Sequence, residues 1–303
     1  MTRDMIVELA TDCDIDAILE LERRGWPQAG SMQADRDRFC RRIALGGMIV
    51  ARLGAGGTLV GAISTFRPRW IHAAIVDDLL SGCPDELLEL PGEQRWTEIR
   101  ALYRLPRDWH AATDDGRLGG GALHDADGEA VFGIGITTDP RERQRGIAQA
   151  LLDGALAIAR RQGARIFLAY SRLPMYSLHA SDTPEQYESR TVQRDGVVKP
   201  FDFGFRLHWA AGAKPLRSAG GRSRYVVIPG SMPDDAESLT CGVLVITPLG
   251  DRSVFSVRGG DRRVASCRRR TPMPEHRHTY PCILLLGGGS RARRCPWSSS
   301  PQS

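Results

Sequence analysis

The sequence predicts an α/β fold organised around one strand–helix–strand unit, and three segments predict it. Ala130–Thr137 (AVFGIGIT) is an unbroken apolar and β-branched run, the pattern of a strand buried on both faces. Arg143–Gln162 follows at helical spacing, with Ile147, Leu151, Ala155 and Ile158 on one face. After the helix-stopping Gly163, Arg165–Tyr170 (RIFLAY) returns as a strand. That order makes a βαβ unit, with neighbouring parallel strands and a right-handed crossover.

The other elements are read in chain order. Met5–Ala10 is a short strand, and Thr11–Asp14 supplies capping residues for a helix over Ile15–Arg24. Ala34–Leu45 repeats the helical pattern. Met48–Arg52 and Thr58–Phe66, joined by the turn Gly54–Gly57, read as a hairpin. Between 67 and 129 only Asp77–Leu90 looks helical, and Leu118–Asp127 looks like a loop. Helices are expected at Pro184–Thr191 and Phe201–Ala211, and late strands at Val226–Pro229 and Gly242–Thr247.

The chain has 303 residues, 42% of them hydrophobic and 25% charged, which excludes a wholly disordered chain. No run approaches the length of a membrane-spanning helix. The N-terminus carries acids where a secretory signal needs an apolar core, so the expected compartment is the cytoplasm. Seven cysteines at irregular spacing, with no CxxC, fit a reducing compartment. The formal charge of +5 is unevenly spread. Residues 250–303 hold 11 Arg against 3 acids, which leaves 30 basic and 33 acidic residues in 1–249. A mildly acidic body argues against nucleic acid as its partner.

The chemistry lies in Arg143-Gln144-Arg145-Gly146-Ile147-Ala148, an R-x-x-G-x-A pattern between a buried strand and a long helix. A helix start offers free backbone N–H groups and the positive end of the helix dipole. Gly146 and Ala148 leave the backbone accessible, and Arg143 and Arg145 add positive charge, so the segment is an anion cradle. It is neither a nucleotide P-loop nor a dinucleotide fingerprint, because G-x-x-x-x-G-K-[ST] is absent and Gly133 and Gly135 lie inside the strand.

Set in that context, ITTDPRERQRGIAQALL resembles the acyl-CoA-binding motif of the GNAT superfamily of acyl-CoA N-acyltransferases. The resemblance spans about residues 5–248 and implies a mixed, mostly antiparallel sheet flanked by helices and splayed at the signature strand. It implies acetyl-CoA or another acyl-CoA as co-substrate. Backbone groups of Ile136, Thr137 and Thr138 would pair with the pantetheine arm, and Arg143, Gln144, Arg145, Gly146, Ile147 and Ala148 would hold the pyrophosphate. Leu173–Val245, including LPMYSLHAS and PDDAESLTCGVLV, is similar to a GNAT subgroup sometimes fused to carbon–nitrogen hydrolases. The tail carries nothing expected of such a hydrolase.

Aminolysis of a thioester needs a base for the amine, a donor for the carbonyl oxygen and an acid for the leaving thiolate. Many GNAT enzymes use a Tyr four residues before the Gly of a helix end; His208 takes that position before Gly212 and is the expected acid, or else a packing residue. For the base, Glu129 opens the signature strand and Glu98 lies upstream in WTEIRAL; either could act through water, and Glu129 is the expected catalytic residue. Tyr170 and Tyr176 fall near the acceptor entrance, and Trp26 and Trp70 read as packing residues able to line an acceptor pocket. The oxyanion donor would be a backbone N–H near Ile136.

Cys267, His276, His278, Cys282 and Cys295 match no common zinc spacing, so no metal is expected. No G-x-S-x-G or H-E-x-x-H occurs. The expected domains are an acyltransferase body over 1–248 and an Arg-rich, disordered tail over 249–303. The change of register after Pro248 is also what a frameshifted terminus gives. The expected activity is transfer of an acyl group, acetyl first, from CoA to an amine by direct attack, with no membrane partner. Two alternatives stay open: a non-catalytic binder of an acyl-CoA or acyl-carrier thioester, and a nucleic-acid-associated protein acting through the tail.

Overall fold

The structure, a computed structural model, describes residues 5–27, 33–54, 57–194 and 196–250. From residue 251 onward the expected tail lies outside the described residues, together with the expectations placed there; Leu249 is buried and its amide donates to the Arg165 carbonyl.

The chain opens with β1 (Met5–Leu9), α1 (Ile15–Gly25) and α2 (Arg36–Ala44). The hairpin β2 (Met48–Leu53) and β3 (Thr58–Phe66) follows, as the Gly-rich turn between two apolar runs predicts. Residues 67–129 hold more helix than expected: α3 (Ala73–Ser81), α4 (Asp85–Glu89), α5 (Gly92–Tyr103) and α6 (Trp109–Thr113). The central unit is β4 (Ala130–Thr138), α7 (Ile147–Arg161) and β5 (Ile166–Arg172). Then come α8 (Pro184–Glu188), the hairpin β6 (Thr191–Arg194) and β7 (Val197–Pro200), and α9 (Phe203–Ala210). The described residues close with β8 (Leu216–Arg217), β9 (Ser223–Arg224), β10 (Val226–Ile228) and β11 (Gly242–Pro248).

Seven strands form one sheet in the order β1-β2-β3-β4-β5-β11-β10. The β4–β5 pair is parallel, joined by the α7 crossover; the other pairs are antiparallel. This is the mixed, mostly antiparallel sheet that the sequence resemblance implied.

Alternation along the strands sorts the apolar side chains onto two faces. Val131, Phe167 and Ala169 pack with Ile147, Leu151 and Leu156 of α7 and Phe205 of α9. On the other face, Phe132, Leu168 and Tyr170 pack under Ile75, Trp96, Ile99 and Trp109 from α3, α5 and α6. Ile18 and Leu21 of α1 and Phe39 of α2 cover Met48, Val50, Leu59 and Ala62 of the hairpin. Phe132 is the hub of the second face, meeting Phe66, Trp70 and Tyr170 edge-on at centroid distances of 5.8, 5.6 and 5.3 Å. Phe132→Ala is expected to destabilise the fold by about 3–5 kcal/mol in urea denaturation; a loss under 1 kcal/mol would contradict this packing.

Candidate active site

The site begins where β4 and β5 part. Their parallel ladder runs from Ala130↔Ile166 to Gly133↔Ala169 and stops. Each strand continues with its outer neighbour: β4 stays on β3 as far as Gly61↔Thr138, and β5 stays on β11 as far as Arg172↔Gly242. The parting coincides with a register shift in which Ile134 is the extra residue between Gly133↔Thr65 and Gly135↔Ser64. Such a bulge bends its strand and increases the local twist. The Trp109 indole N–H donates to the Ile134 carbonyl at 2.9 Å and holds the bend. Beyond it, the β5-facing edge of Ile136, Thr137 and Thr138 has no strand partner among the described residues.

At the end of β4 the chain turns through Asp139. Its carboxylate accepts from the Arg141 amide and guanidinium and, at 3.0 Å, from Arg24 of α1. The Arg141 hydrogen bonds, with Arg24 behind them, hold this carboxyl far below the usual carboxylate range although it is buried. The turn then departs from the expected helix start: α7 begins at Ile147, not Arg143. Gln144 and Gly146 both take positive φ, 65° and 73°. A Cβ on Gly146 would meet nothing within 4 Å, so the backbone there faces open space. None of the amides of residues 143–149 donates a hydrogen bond to the described protein. Alternating handedness ahead of a helix start turns consecutive N–H groups toward one point, a concavity suited to an anion. Arg143, Gln144, Arg145 and Gly146 are exposed; Arg145 pairs with Glu142 at 2.6 Å.

The end of α1 lies against β4. A Cβ on Gly25 would fall 2.4 Å from Thr137 Cγ2, so the close approach needs a glycine. It brings together three side chains. The Trp26 indole N–H donates to Thr137 Oγ1 at 2.7 Å, and that hydroxyl donates to Glu22 Oε2 at 2.7 Å. Arg172, closing β5, places its guanidinium 4.6 Å over the Trp26 ring and thereby spans the open end. Asp235 holds it bidentately at 2.6 Å and Glu237 at 2.9 Å.

The other expected residues fall elsewhere. Glu129 sits at the opposite end of β4 from Thr137, in an ion pair with Arg165 at 2.9 Å, too far from the gap to act as base there. His208 stacks on Phe167, whose partner Val131 belongs to the closed part of the ladder. Its Nδ1 is sealed from water with no partner, and burial pushes the imidazole down to about 4. At neutral pH it is uncharged and a poor proton donor. Glu98 is exposed on α5. The Tyr170 hydroxyl donates to the Pro106 carbonyl and the Tyr176 hydroxyl to the Asp182 carbonyl, so both serve the scaffold. Trp70 donates to the Ala112 carbonyl and packs on Phe132. Among the described residues no His, Cys, Asp or Glu cluster could hold a metal ion, and no helix is long and apolar enough to cross a membrane.

A mixed sheet opened at its β4–β5 parallel pair, with an exposed-amide turn beside the opening, is the arrangement the sequence resemblance implied. Residues 76–181, which include β4, the turn, α7 and β5, match the model of the acetyltransferase (GNAT) family. The loading GNATL domain of CurA from Lyngbya majuscula shares the fold at 20% identity and a TM-score of 0.53, over 81% of this chain and 98% of that one. The GphF GNAT-like decarboxylase, solved in complex with isobutyryl-CoA, matches at 26% identity and a TM-score of 0.51, over 81% of this chain and all of that one. No curated protein matches the chain.

The neutral His208 has a measurable consequence. In the unfolded chain a histidine titrates at about 6.5. Between that value and about 4 the unfolded state binds a proton that the folded state does not, so stability falls as pH falls through this window. His208→Phe is expected to flatten that slope in denaturation curves taken at successive pH values. A slope equal to that of the native protein would show that the ring is not desolvated.

Proposed function

We propose that this protein is an acyl-CoA-dependent acyltransferase that passes an acyl group, acetyl first, from CoA to an amine acceptor by direct attack. The observation that carries the reading is the run of unpaired amides over residues 143–149 beside an unpartnered strand edge. A diphosphate needs convergent N–H donors, and the amides of Arg143, Gln144, Arg145, Gly146, Ile147 and Ala148 are available to it, the first four of these residues being exposed. A pantetheine arm carries amide groups, and the free edge of Ile136, Thr137 and Thr138 offers complementary main-chain partners. The acyl end would then lie at the mouth bounded by Trp26, Thr137 and Arg172. The family match over residues 76–181 supports the same substrate class.

A second reading is favoured by the GphF likeness: loss of carbon dioxide from an acyl-CoA bearing a further carboxylate. It uses the same cradle and differs only at the mouth. Carbon dioxide release from a carboxyacyl-CoA without acceptor would select it, whereas free CoA appearing only with an amine selects transfer. Binding without either product would select the non-catalytic alternative.

Gly146→Glu puts a carboxylate on the anion turn at a positive-φ position. By calorimetry it is expected to weaken acetyl-CoA binding by at least about tenfold, or 1.4 kcal/mol. Unchanged affinity would remove the turn from the binding site.

A further inference from the structure

Glu22 lies on the buried stripe of α1, where an ionised carboxylate is costly unless it is bonded. Its two oxygens accept from the Thr137 hydroxyl and, at 3.3 Å, from the Ala34 amide. The charged group facing it is Arg42 of α2, whose guanidinium donates instead to Ser64 Oγ and the Gly116 carbonyl. A buried acid is thus held to the sheet chiefly by one hydroxyl, and that hydroxyl stands on the stretch of β4 that has left β5.

The hydroxyl's own accounting is informative. A threonine hydroxyl has one hydrogen and two acceptor positions. The hydrogen goes to Glu22 and one acceptor position is taken by Trp26. The second acceptor position is used by no described group. Trp26 is a pure donor, so of the two partners only Glu22 can accept the Thr137 proton.

We propose that Glu22 takes up the acceptor's proton through Thr137, making Thr137 the group that touches the attacking nucleophile and Glu22 the positioning acid–base behind it. The proposal rests on the acyl-transfer reading above. As the acceptor nitrogen bonds to the thioester carbonyl carbon, its N–H proton passes to Thr137 Oγ1, and the Oγ1 proton passes to Glu22 Oε2. When the C–S bond breaks, its electron pair leaves on sulfur, and Glu22 returns the proton by way of the hydroxyl to that thiolate. One proton enters and one leaves. Burial pushes the Glu22 carboxyl upward, with Thr137, the Ala34 amide and Arg42 opposing, which brings the base closer to a neutral working pH.

The test uses the full chain and acetyl-CoA, with free CoA release followed across a panel of amines and pH values, and calorimetry run in parallel. Glu22→Gln keeps the volume and is expected to bind acetyl-CoA as the native protein does, while kcat/KM falls about 100-fold or more and the acidic limb of its pH profile disappears. Thr137→Val should lose as much, Thr137→Ser should recover most of it, and the Glu22→Gln, Thr137→Val pair should lose no more than either alone. A Glu22→Gln profile that keeps the native acidic limb, or Thr137→Val at native rate, overturns the relay while leaving transfer intact. Native protein that binds no acetyl-CoA, or releases no CoA with any amine, overturns the transfer reading and the relay with it.

Discussion

The site depends on two strands that share a ladder and then abandon it while each keeps its outer neighbour. After Gly133 and Ala169, β4 follows β3 and β5 follows β11, and the sheet opens from within. Unpaired main-chain groups inside a sheet must find partners in solvent or ligand. The opening is therefore a polar slot in an otherwise apolar sheet. Its cause is local: one extra residue, Ile134, bends β4, and an indole from α6 takes the carbonyl that the bend exposes.

Around that slot the protein concentrates hydrogen bonds whose partners come from distant parts of the chain. Arg24 reaches Asp139, Glu22 and Trp26 reach Thr137, and Arg172 reaches Asp235 and Glu237. Helix α1 thus serves both the hairpin core, through Ile18 and Leu21, and the rim of the slot, through its last turn. The bare Gly25 makes the second role possible, because any side chain there would collide with Thr137.

Much of the scaffold was legible in the residues. The β4–α7–β5 unit announces itself because a continuous apolar run, a helical stripe and a second run can hardly be arranged otherwise. Helix α5 was missed: its apolar residues Trp96, Ile99 and Tyr103 are embedded among Gln, Arg and Glu and make a weak stripe. The observed start of α7 lies four residues after the expected one: Arg and Gln favour helix, whereas Gln144 takes a left-handed conformation that no propensity announces. Two signals for the site were present and unread. Glycines at 133 and 135 inside a strand mark a bulge. Glu22, seven residues after Ile15 and four after Ile18, falls on the apolar face of its helix, where a carboxylate needs a reason. Glu129 is expected from its place at the start of a strand and His208 from its spacing to Gly212, and neither reveals which end of a strand or which rung a side chain reaches.

The turn after β4 looks strongly cationic when spelled out, with Arg141, Arg143 and Arg145 in succession. In space most of that charge is cancelled: Arg141 is bound to Asp139, and Arg145 to Glu142. What the turn presents is an array of main-chain dipoles beside the exposed Arg143. Attraction of that kind acts over a few ångströms and is weakly screened, so added salt should loosen an anion's hold here far less than the arginine count suggests. Selectivity then comes from matching shape, and a merely acidic molecule gains little by approaching.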